Sequence, residues 1–311
     1  MIRNTKHLFR LLGAAVLGMA AATGCSEQRN YYADAEYVMF ADTASVNIVL
    51  QDHESFAVPV ASTVACSYDR TFGVEIIDSG SKAIEGKHYR LASNTITIPA
   101  GQRRADVTVY PNYEALEAAD TLNFTLQLVM PEAVKWDLYG NRTHVKMVKR
   151  CPFVADDFSG WCVVTSLFLQ SFPGDNTSIQ RLIRTEKHPT EENTVILHSF
   201  LYDGYDVTIR FQTDNPAEPW VTMDADQVLS DEESVFGLVH GDNKILTTAS
   251  PYYYSYFDAC GRFVSLYLMV YVEHLGELVG YVETGVYNVL EWVSDEEADR
   301  LDREEGLKKH E

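Results

Sequence analysis

Hydrophobic and polar residues alternate along much of the chain. Leu122, Phe124, Leu126 and Leu128 are interleaved with Asn123, Thr125 and Gln127, the cleanest run of this kind. Val107 and Val109 alternate with Thr108 and Tyr110, and Val46, Ile48 and Leu50 alternate with Ser45, Asn47 and Val49. A period of two turns one side of an extended chain to a core and the other to water, so these runs predict strands. Pro99-Ala-Gly101 punctuates strands expected at 95–98 and 106–110 as a turn. Short strands broken at such intervals predict an all-β sandwich over residues 37–150.

After the seam Cys151-Pro-Phe-Val-Ala-Asp156-Asp157 the pattern restarts with Phe158-Ser-Gly160-Trp161-Cys-Val-Val-Thr. Further strands are expected at 194–201, 206–211, 220–223, 252–257, 263–273, 277–284 and 287–292. Together they predict a β-rich barrel or sandwich over 151–293. The tail 294–311 differs: Ser294 followed by Glu297 is a capping-box pattern, and charge is dense. It predicts an exposed C-terminal helix or tail, with too few apolar residues for a strong buried face.

The apolar segment 11–22 follows Arg3, Lys6 and Arg10 and runs into Ala22-Thr-Gly-Cys25. It falls well short of the roughly 20 residues a bilayer-spanning helix needs. A basic stretch, an apolar segment and small residues before a cysteine form an export signal ending in a lipobox. The expectation is a signal peptide over 1–24, cleavage before Cys25, acylation of that residue, and a tether over 25–36. A plain secretory signal cut after one of the alanines is the alternative. Two or more acyl chains hold a protein stably on a membrane, each buried CH₂ contributing about 0.8 kcal/mol.

Composition narrows the partners. Asp and Glu number 45 against 25 Lys and Arg, a formal charge of −20. Removing residues 1–24 takes away basic groups only, so the mature chain is more acidic still. Such a surface repels phosphate backbones and excludes nucleic acid as a partner. Cys66, Cys151, Cys162 and Cys260 remain beyond Cys25, and an oxidising compartment permits up to two disulfides in any of three pairings. Separate buried thiols are the other reading. No CxxC pair or metal-spaced histidine is present, so no metal site is expected.

Catalytic signatures are missing too: there is no GxSxG, HExxH, Walker loop or GxGxxG. Asp156-Asp157, Asp224/Asp226 and Asp231-Glu-Glu233 are neighbouring acids of the kind glycoside hydrolysis uses in pairs, but solvated loops account for them among so many carboxylates. The chain is expected to be non-catalytic and to carry no cofactor. Its candidate recognition feature is Pro251-Tyr252-Tyr-Tyr-Ser-Tyr256-Phe-Asp258. In a strand, Tyr252, Tyr254 and Tyr256 share one face while Tyr253, Ser255 and Phe257 take the other. A row of phenols can stack on the apolar faces of sugar rings, and Trp220, after a Pro-rich loop, is placed to join them. Packing in the core or at a sheet edge is the competing role for these residues.

Ala83-Ile-Glu-Gly86-Lys-His-Tyr89, Thr95-Ile-Thr-Ile98-Pro-Ala-Gly101, Val107-Thr-Val and Asp120-Thr-Leu-Asn-Phe-Thr-Leu resemble, in order and spacing, the core of a Calx-beta-type domain. The resemblance covers roughly residues 35–150 and implies an immunoglobulin-like sandwich. Calcium-binding members use a carboxylate cluster at one end; here His88 stands where an Asp usually precedes the Tyr, so calcium is not carried over. The whole layout resembles Bacteroidota-type lipoproteins of unknown function, many of which accompany outer-membrane glycan-uptake machinery. That resemblance implies an outer-membrane lipoprotein, on the surface or the periplasmic face, that binds glycan or another envelope ligand. A structural or protein-interaction module of an envelope complex is the alternative, and a hydrolase a third.

Overall fold

The computed structural model describes residues 35–118, 121–136, 138–236 and 242–310. Cys25 and the expected signal peptide lie outside the described residues, and so does all but the end of the expected tether. The protein is all-β, with a few short helices.

Nine strands build the first half: β1 (Val38–Phe40), β2 (Ala44–Val49), β3 (Phe56–Ser62), β4 (Arg70–Ile77), β5 (Tyr89–Leu91), β6 (Thr95–Ile98), β7 (Arg104–Pro111), β8 (Thr121–Val129) and β9 (Arg142–Lys149). They form two sheets, β1-β3-β7-β5 and β2-β9-β8-β4-β6, with a shared core between them. β8 follows its alternation: Phe124, Leu126 and Leu128 are buried among Val107, Val109 and Val145. Tyr89 stacks on Phe124 with centroids 3.9 Å apart. The turn at Gly101 has φ +76°, a conformation that L side chains rarely adopt. His88 is buried, and its Nδ1 accepts the Ile84 N–H at 2.9 Å.

β2 takes the opposite phase to the one its Val46–Ile48–Leu50 alternation suggests. It is an edge strand running parallel to β9, and its register sets Val46 beside Lys146. Because Val145 and Met147 of β9 face the core, Val46 is turned out and 65% exposed, while Val49 is buried. The neighbour with the stronger pattern decides the parity.

The second half comprises β10 (Gly160–Ser166), α1 (Phe168–Ser171), β11 (Gln180–Lys187), β12 (Thr194–Leu197), β13 (Val207–Phe211), β14 (Trp220–Thr222), β15 (Gln227–Ser230), α2 (Glu233–Phe236), β16 (Ile245–Ala249), β17 (Ser255–Asp258), β18 (Phe263–His274), β19 (Glu277–Val293), α3 (Asp295–Glu305) and β20 (Lys309–His310). Going round, β10, β11, β12, β13, β14, β17, β18 and β19 pair in succession, antiparallel throughout, and β19 returns to β10. This is a closed barrel of a size whose interior side chains just fill. Cys162, Val164, Ile209, Leu266, Leu268 and Leu290 point inward and are buried. Phe158 plugs one region against the rings of Phe153, Phe211, Phe257 and Trp292.

The far half of β18 pairs with β16, which carries β15. β15 is tied to β13 by a side chain: Gln227 Oε1 accepts the Thr208 N–H at 2.6 Å and Gln227 Nε2 donates to the Thr208 carbonyl at 2.9 Å. The segments expected at 277–284 and 287–292 are one continuous strand, β19.

The outer side of β10 and β11 is covered by the tail. Ser294 Oγ caps α3 by accepting the Glu297 N–H at 3.2 Å. Ala298 and Leu307 are buried against Trp161, Val163 and Leu182, so the sparse apolar face of this helix is enough for a small satellite core. Cys151 of the connector is bonded to Cys260 in the β17–β18 turn, with Cα atoms 5.1 Å apart across 109 positions of sequence. Cys66 and Cys162 are thiols. Burial pushes the Cys162 thiol well above its usual range.

Candidate functional site

Period-two geometry in β18 and β19 sends even-numbered residues such as Leu266 and Leu290 into the barrel and odd-numbered ones outward. On the side formed by β14, β17, β18 and β19, the outward positions hold aromatics. Register places Trp220 opposite Tyr256, Tyr256 opposite Ser265, and Tyr267 opposite Tyr287. Four neighbouring strands at a spacing of about 4.8 Å make this face about 14 Å wide.

Two groups of rings occupy it. Trp220 lies against Tyr254 with centroids 4.9 Å apart, and Tyr256 meets Phe263 edge-on at 6.2 Å. Tyr253 stacks on Tyr267 at 5.1 Å, and Tyr267 on Tyr287 at 4.8 Å. Gly285 makes room for the second group: a Cβ there would fall 2.9 Å from Cε2 of Tyr253. Burial, followed by the neighbouring phenols of Tyr287, Tyr256 and Tyr253, raises the Tyr267 phenol above its ordinary value, so it stays protonated. The Tyr287 hydroxyl lies 3.3 Å from Ser265 Oγ.

Tyr254 is 77% exposed and Tyr256 41% exposed, and Trp220 is half-buried. These three sequence-predicted residues come together. Tyr252 is exposed as well, but it stands in the bend before the strand and makes no ring contact among the described residues. The strand expected over 252–257 is confined to Ser255–Asp258, so strict alternation fails upstream and Tyr253 also reaches the surface. Tyr253, which strict alternation set on the opposite face, joins the site, and Phe263, Tyr267 and Tyr287 are the residues that sequence reasoning missed. Their signal was aromatics at outward positions of two strands that pair only in the fold.

The acidic pairs are engaged elsewhere. Asp156 holds Lys187 at 2.9 Å and Asp224 lies 3.7 Å from Arg210. Asp226 accepts the Tyr271 hydroxyl and Asp231 that of Tyr205. No group of three or more His, Cys, Asp or Glu among the described residues is placed to hold a metal. What the aromatic face offers is flat rings with hydroxyl rims, suited to stacking against an apolar ligand surface while hydrogen-bonding its edges.

No curated protein matches the chain. Among solved structures it is similar to the apo-form CBD1 domain of Calx, at 14% identity over 37% of this chain and 98% of that one (TM-score 0.31). It is similar to a protein of unknown function from Bacteroides ovatus, at 12% identity over 83% and 95% of the two chains (TM-score 0.35). A third similarity is to a Bacteroides ovatus protein provisionally named carbohydrate binding, at 10% identity over 82% and 74% (TM-score 0.31). The family model described as "Domain of unknown function (DUF4984)" matches residues 138–304, from the turn before β9 to the last turn of α3. With more than half of its length matched, the chain belongs to the DUF4984 family.

Proposed function

We propose that this chain is a lipid-anchored, non-catalytic binding protein of the bacterial cell envelope that holds glycan on the aromatic face of its barrel, in association with outer-membrane uptake. The observation that carries the reading is the exposed grouping of Trp220, Tyr254 and Tyr256, extended by the Tyr253–Tyr267–Tyr287 stack. Sugar rings present C–H faces to aromatic planes and hydroxyls at their rims, and the phenols match both. The Cys151–Cys260 disulfide supports export, since such bonds persist in oxidising compartments. Anchoring rests on Cys25: Cys25→Ser is expected to move the protein from the membrane fraction to the soluble one, and unchanged membrane association would refute the anchor.

Glycan arrays and polysaccharide affinity gels test the face itself. The full chain is expected to be retained by at least one polysaccharide, and the double variant Trp220→Ala/Tyr254→Ala to lose that retention. Equal retention of the variant would remove the aromatic face from the reading. A protein-interaction role has its own support in the apolar tip of the β18–β19 hairpin, where Leu275, Leu278, Val279 and Tyr281 are all exposed. Cross-linking in intact cells that traps reproducible protein partners at this tip, with no glycan retained, would favour that role.

A further inference from the structure

A cavity of about 490 Å³ opens where the two halves of the molecule meet. Its walls come from three places: the loop after β2 at Leu50–Asp52, the connector from Arg150 to Phe153, and barrel residues that include Pro216, Pro219, Phe257 and Ala259. The connector wall is pinned to the barrel by the Cys151–Cys260 disulfide. Volume and apolar lining are those of a small-molecule site, and such sites favour the junctions between domains.

The polar group that stands out is Arg150. It is half-buried and is the one cation of the lining; its Nε, like those of Arg70 and Arg181, finds no hydrogen-bond acceptor among the described residues. No carboxylate among them pairs with its guanidinium, whereas the buried Arg70 and Arg181 bind Glu36 and Asp203 at 2.8 and 2.6 Å. A guanidinium's fork of N–H groups matches a carboxylate. Asp52, the one acidic residue of the lining, is on the exposed loop and disfavours a second negative charge on the ligand.

From this combination we infer that the cavity between the halves is a binding site for a small apolar monocarboxylate, its ring or branched chain against Phe153, Phe257, Pro216 and Pro219 and its carboxylate on Arg150. The site is independent of the aromatic face. Its occupant touches the first sandwich, the connector and the barrel at once.

Calorimetric titration of the full chain with 3-phenylpropionate, and with its neutral match 3-phenylpropionamide, tests the inference. The acid is expected to bind at least about ten-fold more tightly than the amide, the size of effect one charge-assisted hydrogen bond gives. Arg150→Gln should bring the acid down to the amide's affinity, with circular dichroism showing the fold intact. Gln51→Trp, on the exposed loop, should weaken both probes by occluding the mouth. Equal binding of the two probes, no binding of either, or an Arg150→Gln chain that still prefers the acid would each overturn it.

Discussion

Trp161 and Trp220 both stand on the outside of the barrel, the first on β10 and the second on β14. Trp161 is 6% exposed. Leu182, Ala298 and Leu307 close over it, the Arg184 guanidinium lies 5.3 Å from its ring centroid, and the Lys309 ammonium 4.8 Å. Trp220 has Tyr254 against it, and Tyr254 is itself mostly in water. On one side the chain spends its last turns on covering an aromatic surface; on the other, the rings are neighbours chiefly of one another. Leaving apolar area in water forgoes about 25 cal/mol per Å². A fold that covers one aromatic face with its own tail and leaves the other open supports a role for the open one. That asymmetry weighs more than the exposure of any single tyrosine, since scattered exposed aromatics are ordinary.

The comparison makes its largest prediction for stability. Trp161→Ala empties a packed site beneath α3 and should cost about 3–5 kcal/mol. Trp220→Ala, on the open face, should cost about 1 kcal/mol or less. Urea unfolding of the two variants at neutral pH measures both. Equal costs would mean that the two faces are packed alike and would break the contrast.

A middle-sized effect is expected within the open face. Gly285→Ala pushes a methyl into Tyr253 and should dislodge its ring from Tyr267, at a cost of about 1 kcal/mol. Gly280, on the same strand, has nothing within 4 Å of the equivalent position. Gly280→Ala should therefore be neutral or stabilise by up to about 0.5 kcal/mol through the chain entropy that glycine loses. Near-ultraviolet circular dichroism reports the tyrosine stack directly. An unchanged spectrum in Gly285→Ala would show that Tyr253 does not rest there.

These residues also mark how far the sequence could be read. β8 was legible because its core positions are apolar and, from Thr121 to Gln127, the positions between them are polar. β2 was not, because Val46, Ile48 and Val49 leave both phases apolar and the tie is broken by β9. β11 escaped notice since its inward Arg181 and outward Leu182 are both buried, one by Asp203 and Ser199, the other by the tail, so alternation is lost. Gly285 falls in the gap between the strands expected at 277–284 and 287–292, whereas its missing side chain seats a ring and the strand continues. Tyr254 and Tyr256 were found through one local aromatic run, and Trp220 through the Pro-rich loop before it. Tyr267 and Tyr287 sit alone in their own segments and become neighbours only through pairing 20 positions apart. The Cys151–Cys260 partnership and the cavity around Arg150 depend on long-range packing, which no local pattern encodes.

The smallest effect concerns the covered face and depends on pH. β20 lies parallel to β11, and His310 Nδ1 meets Asp203 Oδ1 at 2.7 Å while Asp203 also binds Arg181 at 2.6 Å. Burial, and then the Arg181 charge, hold the His310 imidazole below its ordinary value despite Asp203 beside it. Burial raises Asp203, but the Arg181 hydrogen bond and the His310 and Arg181 charges outweigh it, leaving a carboxyl below its ordinary value. Both folded values are depressed, so both groups favour the fold above their unfolded values and lose that contribution as pH falls. His310 should act first, as pH drops below about 6.5, and Asp203 only below about 3.9. Urea midpoints between pH 7.5 and 5 should therefore decline in the native chain and decline less in His310→Gln. Asp203, largely in water, opposes the depression of His310, so the change should be slight, and added salt should trim the share that comes from the Arg181 charge. The same pH scan should leave the stack on Tyr267 unaffected, because that phenol is raised away from this range. A pH response confined to the tail side would confirm that the cover is held by titratable contacts, while the open face is held by stacked rings and the Tyr287–Ser265 hydroxyl contact.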